Sequence, residues 1–562
     1  MRGLFLIAAG LGVWTLLPDA PKPAPVSEPP RFANPIIPGF APDPSIVRVD
    51  DDFYLVNSSF EYFPALPIRH STDLINWRLI GHAISDPAHG VAVGLDAVES
   101  SGGVHAATIR YDAGRFYVVS TVVVDGAPTS FIVTAENPAG PWSAPVIVED
   151  AIGIDPSLFF DDDGRVWYTA NAVAENPELP GQALIWLQEL DRDTLQLKGE
   201  RRFVWSGCCQ GVWAEGPHLY KREGTYYLLL SEGGTSYEHA VSVAASDTVT
   251  GPYVGNSRNP ILTHRHLSFD HPITGGGHAD LVELADGRWY GVALGWRLIN
   301  EAYGLLGRET FLFPVVWETE REGWKDPKAT FPVASPLSGK IEPNYPLPFK
   351  ARPSARPGGF VDGFNRSRLD LRWTARRAHP TPFHRLTEPP GQLVLNLQSA
   401  SLAEGARYSF LGVRQTAFAF EADTLMTFSP ATADEEAGLS VMMNDRAALT
   451  LTRRQIEDKA YVVLSKWLYG ERITLAQTPV SKGPLQLRVE GDGAEFQVSV
   501  IGRSGYRQSG GEGIDGRFLA PNTLDGFNYT GLYVGLYASA NGAATQTQAL
   551  FDRFAYTERP TD

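Results

Sequence analysis

Cysteine is nearly missing from this chain: there are two in 562 residues, the neighbours Cys208 and Cys209. Adjacent cysteines cannot readily form an unstrained disulfide, and two do not make a zinc site by themselves. The folded domains therefore do not depend on a disulfide framework. Positive charge is also scarce, with 48 Lys and Arg against 64 Asp and Glu and a net charge of −16. Phosphate binding needs neutralising cations, so this balance argues against a nucleic-acid partner. Helical stretches between the strand-like segments are lacking too, which argues against a parallel sheet with crossover helices. A long apolar run stands at the start, where MRGLFLIAAGLGVWTLLPDA (residues 1–20) places one early Arg before it and Pro and small residues after it. This reads as a Sec-type signal peptide ending near Ala20, with residues 21–34 as a Pro-rich leader and an uncleaved anchor as the lesser alternative. No Cys follows the run, so bacterial lipid attachment is not indicated. A periplasmic or secreted protein is expected, with no stable membrane span after cleavage.

Aromatic residues, in contrast, are abundant: 13 Trp, 21 Tyr and 28 Phe. Such rings serve sheet cores and sugar-stacking faces alike. The length exceeds what one hydrophobic core supports, so two domains are expected.

The most informative feature is a phrase repeated five times, as PDPSIVRVDDDFYLV, HAATIRYDAGRFYVV, IDPSLFFDDDGRVWYTA, AEGPHLYKREGTYYLLL and HADLVELADGRWYGVAL. Its reference tyrosines, Tyr54, Tyr117, Tyr168, Tyr227 and Tyr290, are 63, 51, 59 and 63 residues apart. Each phrase is rich in branched and aromatic residues around a charged or Gly turn, which is a hairpin signal. One hairpin cannot bury its apolar face alone, but a ring of small sheets buries each against the next. The expected fold is all-β, with a five-bladed β-propeller over residues 35–325. STDLINW, ENPAGPW and SDTVTGPY recur between the phrases as outer-blade turns.

Eleven to thirteen residues before each reference tyrosine stand Asp43, His105, Asp155, Glu215 and His278. In a propeller the innermost strands line the central channel, so equivalent blades bring all five toward one axial region. Three carboxyls gathered there repel one another, so one should have a raised pKa while another stays charged. Acetal hydrolysis needs this division, with one carboxyl protonating the leaving oxygen and one carboxylate activating water. Taken singly, Asp-Pro-Ser is usually a turn, Glu before Gly-Pro is usually structural, and the histidines could be satisfied channel residues. Their matched place in the repeat raises the catalytic reading.

Several stretches carry a family resemblance. NPIIPGFAPDPSIVRVDDDFYLVNSSFEYFPALPIRHSTDLINW, GGVHAATIRYDAGRFYVVST, GIDPSLFFDDDGRVWY, WAEGPHLYKREGTYYLLLSEGGTSYEH, GHADLVELADGRWY and LGRETFL occur in that order. Together they resemble glycoside hydrolase family 43, in its β-xylosidase and α-L-arabinofuranosidase branch with a C-terminal β-sandwich. The resemblance implies that Asp43 is the general base, Glu215 the general acid and Asp155 the carboxylate that tunes and orients the acid. It implies inversion by single displacement, with no covalent intermediate. It also implies substrate contacts from Arg308, whose fork grips hydroxyls, from Phe60 as an apolar wall, and from His278. No cofactor is required, although in some members the channel histidine helps hold a calcium ion through water. Histidine is a poor ligand for so hard a cation, so hydrogen bonding ranks first for His278. One departure stands out: many relatives have Trp-Ala-Pro where this chain has His105-Ala106-Ala107, replacing a stacking surface with a polar one.

FPVASPLSGKIEPNYPLPFKARPSARPGG, with the residues just before it, reads as a linker over 326–357. Residues 358–558 return to alternation, as in QLVLNL and PLQLRVEGDGAEFQVSV, which suggests two packed antiparallel sheets. The resemblance implies that a sandwich loop closes one side of the pocket, and GFNYTG, with Phe527, is the candidate. The expected function is an inverting, exo-acting β-1,4-xylosidase that releases xylose from non-reducing ends of xylo-oligosaccharides. An α-L-arabinofuranosidase or dual enzyme acting on arabinose-decorated oligosaccharides is the alternative, and a non-catalytic sugar-binding propeller is the reading from a different class. Oligomeric state is left open by the sequence.

Overall fold

The computed structural model describes residues 29–208, 212–300, 302–317, 330–349, 358–405, 407–502, 507–509 and 513–559. The expected signal peptide, leader residues 21–28, linker residues 326–329 and 350–357, and Cys209 lie outside the described residues.

Five antiparallel sheets follow one another along the first half of the chain. Their first strands are Ser45–Val49, Gly103–Asp112, Ser157–Phe160, Glu215–Arg222 and Thr274–Glu283. Each pairs with a second strand that holds the reference tyrosine, namely Asp52–Val56, Arg115–Val124, Val166–Val173, Thr225–Glu232 and Trp289–Trp296. The second strands are almost wholly buried because blades cover both of their faces. That is why they read as continuous apolar runs rather than as alternation. Each buried Leu or Val there contributes about 1.5–3 kcal/mol. The three recurring turns fall between the third and fourth strands of blades one, two and four. Each first strand packs beside the first strands of its two neighbours, and the fifth returns to the first, which closes the ring into a propeller.

Closure is completed by the segment before blade one. Ile37 exchanges backbone hydrogen bonds with Thr310, and Asn34 donates to the carbonyls of Leu312 and Glu342. Arg31–Ala33 pairs with Asn344–Pro346, while Pro332–Ala334 pairs with Arg308–Trp317 as the fourth strand of blade five. Both segments fall where leader and linker were expected. Short edge strands tolerate proline, so a Pro-rich composition hid them.

Two larger sheets form the sandwich. One has Gln548–Glu558 near its centre, flanked by Leu393–Asn396 and Phe420–Thr427. The other runs from Glu471–Pro479 through Glu436–Asn444 and Tyr533–Ser539 to Ser409–Arg414 and Thr374–Arg376. Phe420, Leu487, Leu536, Phe551 and Phe554 fill the space between them. The second sheet does not stop at its own domain: Tyr62–Phe63, a loop segment of blade one, is its last strand, with Phe63 opposite Ala375 and Tyr62 opposite Arg376.

A buried charge network reinforces this seam. Arg376 is fully buried between Glu61 of the propeller and Asp445 of the sandwich. Arg377 donates to Asp445 at 2.8 Å and to the Val98 carbonyl at 2.5 Å, and Ser100 and Tyr408 donate to Asp445 at 3.0 and 2.7 Å. Among the described residues no helix is long and apolar enough to cross a membrane.

Candidate active site

Glu215 opens the innermost strand of its blade, His105 and His278 lie within theirs, and Asp43 and Asp155 stand two residues before theirs. Asp43, Asp155 and His278 have φ values of 48°, 56° and 48°, a left-handed backbone that costs non-glycine residues about 1–3 kcal/mol each. Register shifts interrupt the first strands between Val104 and Ala107, between Glu215 and His218, and between Gly277 and Asp280. Bulges of this kind re-aim side chains, and here they turn His105, Glu215 and His278.

Asp43 is buried and held on both oxygens. Arg308 Nη1 donates to Oδ1 at 2.9 Å and Ser58 Oγ to Oδ2 at 2.5 Å. Asp155 is buried and accepts from the backbone N–H of Gly216 at 3.2 Å, so it is tied to the residue after Glu215. Glu215 is the most open of the three, with 19% of its side chain exposed against 4% for Asp43. His278 Nδ1 stands between them, 4.0 Å from Asp43 Oδ1 and 3.9 Å from Glu215 Oε1. The two carboxyl oxygens are therefore no more than about 8 Å apart, a ceiling that overlaps the separations of about 6.5–9.5 Å found in inverting enzymes. The His278 ring lies against Gly216, where a Cβ would meet it at 3.0 Å.

The electrostatics divide the group. Burial, with the charges of Glu215 and Asp43, pushes Asp155 up to about 7 against the opposing pull of His278. Burial also pulls His278 down, but its interactions with Glu215, Asp43 and Asp155 outweigh this and raise it to about 9. Glu215 goes the other way: burial pushes it up, while His239 and His278 hold it below the usual carboxylate range. His239 Nε2 approaches Glu215 Oε1 to 3.4 Å without the geometry of a full hydrogen bond, so we assign most of that effect to the charge on His278. In the free site the raised carboxyl is thus Asp155.

The remaining candidates form the wall. Arg308 also donates to Thr235 Oγ1 and to the Tyr529 carbonyl, at 3.2 and 3.3 Å, and its guanidinium lies 5.3 Å from the ring centres of Phe60 and Tyr529. Phe60 is buried, stacked on Tyr529 at 5.3 Å, with His105 at 4.8 Å. Burial lowers the His105 pKa, so this imidazole is a neutral polar edge of the wall. The GFNYTG loop does reach the site, but Phe527 is not the ring that faces it. Phe527 is 75% exposed and stacks on Tyr529 at 5.7 Å, one layer further out. Tyr529 takes the inner place because its N–H is anchored to Ser101 Oγ at 3.1 Å.

Ser58, Thr235, His239 and Tyr529 escaped the sequence reading because none occupies a repeated position. Only their membership in the quoted stretches pointed to them. Cys208 donates its N–H and thiol to Glu232 at 3.0 and 2.9 Å, fixing one end of the loop that leads to Glu215.

An axial propeller with three carboxyls, a bridging histidine and an aromatic wall defines a glycoside hydrolase. The chain belongs to glycosyl hydrolases family 43, whose sequence profile matches residues 32–324, and residues 361–557 match the β-xylosidase C-terminal concanavalin A-like domain. It is 38% identical over 534 residues to a xylosidase/arabinosidase of Butyrivibrio fibrisolvens, spanning 93% of this chain and 99% of that protein. A non-reducing end α-L-arabinofuranosidase of Bacteroides ovatus is 37% identical over 538 residues, covering 93% and 94% of the two chains. Among solved structures, a xylan β-1,4-xylosidase from Bacillus halodurans superposes with a TM-score of 0.85 at 30% identity, covering 94% of this chain and 100% of that one.

Proposed function

We propose that this family 43 hydrolase acts on xylan or arabinan oligosaccharides as an exo-acting, inverting β-1,4-xylosidase, with Asp43 as general base, Glu215 as general acid and Asp155 tuning and orienting the acid. The observation that carries this reading is the placement of Asp43 and Glu215 on either side of His278, beside a wall of Phe60 and Tyr529. A sandwich loop set against the propeller rim favours a closed pocket over a through-running groove, and a pocket accepts a chain end. Arg308 and Ser58 hold Asp43 so that an oxygen can accept a proton from water. His239 and His278 favour the charged form of Glu215, so its acid role requires a proton kept on His278 or Asp155 to move to it once a sugar fills the pocket. Release from the cell by a cleaved signal peptide belongs to the same proposal.

Similarity to an arabinofuranosidase, together with His105 in place of tryptophan, favours α-L-arabinofuranosidase or dual activity as the second reading. Rates on aryl β-D-xyloside, aryl α-L-arabinofuranoside and xylobiose decide between them. Dominant xyloside and xylobiose turnover is expected, with α-xylose appearing first by proton NMR. Dominant arabinofuranoside turnover would transfer the enzyme to branch removal, initial β-xylose would overturn inversion, and inactivity on all three would favour the sugar-binding reading.

The acid role has its own signature. Glu215→Ala should slow glycosides with poor leaving groups far more than activated aryl glycosides, because good leaving groups need little protonation. Equal losses on both would remove Glu215 from that role.

The pH dependence follows from the raised groups. An acid works in its protonated form, so kcat/KM should fall as pH rises through the values of Asp155, about 7, and His278, about 9. A pH–rate profile of the wild type and Asp155→Asn checks this, with the descending limb expected to move in the variant. A rate still climbing at about pH 10 would contradict a proton held in this cluster.

A further inference from the structure

A second polar layer lies beneath the acids, and it contains one residue from the first strand of every blade. Ser45, Arg110, Ser157, His218 and Asp280 stand two to five residues beyond the five marked positions, which for the two-residue steps of Ser45, Ser157 and Asp280 is roughly 7 Å further along the strands. Arg110 is the hub. Its Nη1 donates to Asp280 Oδ2 at 2.9 Å and to Ser45 Oγ at 3.1 Å, and its Nη2 meets His218 Nδ1 at 3.0 Å and Asp280 Oδ1 at 3.3 Å. Ser157 Oγ reaches the same His218 nitrogen at 3.1 Å. Asp280 is fully buried and also accepts from Ser45 Oγ at 2.7 Å, Ile46 N at 3.0 Å and Tyr220 Oη at 2.6 Å. Side chains from five strands that surround one axis can meet only at that axis.

We propose that the Arg110 guanidinium is the resident cation of the propeller channel and occupies the axial place that a calcium ion would need. Calcium requires about six to eight oxygen ligands, and among the described residues no group of three or more His, Cys, Asp or Glu is spaced to hold a metal. The strongest axial oxygen donor, Asp280, is already gripped on both oxygens by Arg110. A divalent ion would meet a fixed positive charge and would have to displace a bidentate pair. Arg110 therefore acts as a positioning residue: it draws blades one, two, four and five together through Ser45, His218 and Asp280. The spacing of Asp43, Glu215 and His278, two to three residues back on those strands, follows from it.

The test uses the full-length protein and does not depend on which sugar is cleaved. Elemental analysis after dialysis should find no stoichiometric calcium, and chelator or added calcium should change neither melting temperature nor turnover. One tightly bound calcium per chain, or loss on chelation reversed by calcium, would overturn the proposal. Arg110→Ala should lose about ten- to a hundredfold in kcat, the scale of a displaced catalytic group, and recover part of it when guanidinium chloride is added at millimolar concentration. Full activity in that variant without any added cation, or a loss that no cation reverses, would also overturn it. Should Arg110→Ala fail to fold, Arg110→Lys retains the charge on a smaller donor set. It is expected to remain folded and metal-free, and acquired calcium dependence would count against Arg110 as sufficient cation.

Discussion

Hydrolysis by an Asp43→Asn protein is expected to fall by about 10²–10⁴-fold in kcat, the contribution of a positioned general base. Asparagine keeps the shape of the side chain and can still accept from Ser58 or Arg308, so lost base chemistry is separated from lost packing. Asp43→Ala should be as inactive, with the added penalty of leaving Arg308 buried without its 2.9 Å partner. A small anion such as azide, which needs no deprotonation, should restore turnover of an activated aryl glycoside in the alanine variant. Near-normal hydrolysis by Asp43→Asn would remove Asp43 from the role.

The second large effect lies away from the acids. Arg376→Ala should destabilise the protein by about 3–5 kcal/mol, the usual consequence of breaking a fully buried ion pair, because Glu61 and Asp445 would face each other without their shared cation. Activity should suffer as well. Phe60 immediately precedes Glu61, and its ring packs on Tyr529 from the sandwich, so loosening the seam loosens both sides of the wall. Thermal melting with kcat and KM on one substrate measures this. An unchanged melting temperature would mean that the seam holds without its charges, and a raised KM in a still-stable variant would assign the network to the pocket rather than to the fold.

The propeller was legible because its information repeats. Five copies of one phrase placed Asp43, His105, Asp155, Glu215 and His278 in equivalent positions, and equivalence in a ring implies convergence. The sandwich was legible for the ordinary reason that strands alternate. Contacts made once, between distant segments, left no such trace. Nothing periodic marks Tyr62–Phe63 as a strand, since its partner Thr374–Arg376 belongs to the other domain. Tyr529 was missed by two residues within the right loop, because facing inward is decided by the anchor to Ser101 and not by composition. Which carboxyl is raised was not legible, because the sequence counts carboxyls, whereas the state of Glu215 depends on how near His278 stands.

The strand that blade one lends to the sandwich also imposes an order in time. Glu61 emerges from the ribosome 315 residues before its partner Arg376. At synthesis rates of about 5–20 residues per second, the gap is on the order of tens of seconds. Through that interval the first blade waits with Glu61 unpaired and the segment that carries Phe60 unsupported. The site nearest the beginning of the chain is thus among the last to be finished, and the nascent hydrolase becomes competent only when its C-terminal half has arrived.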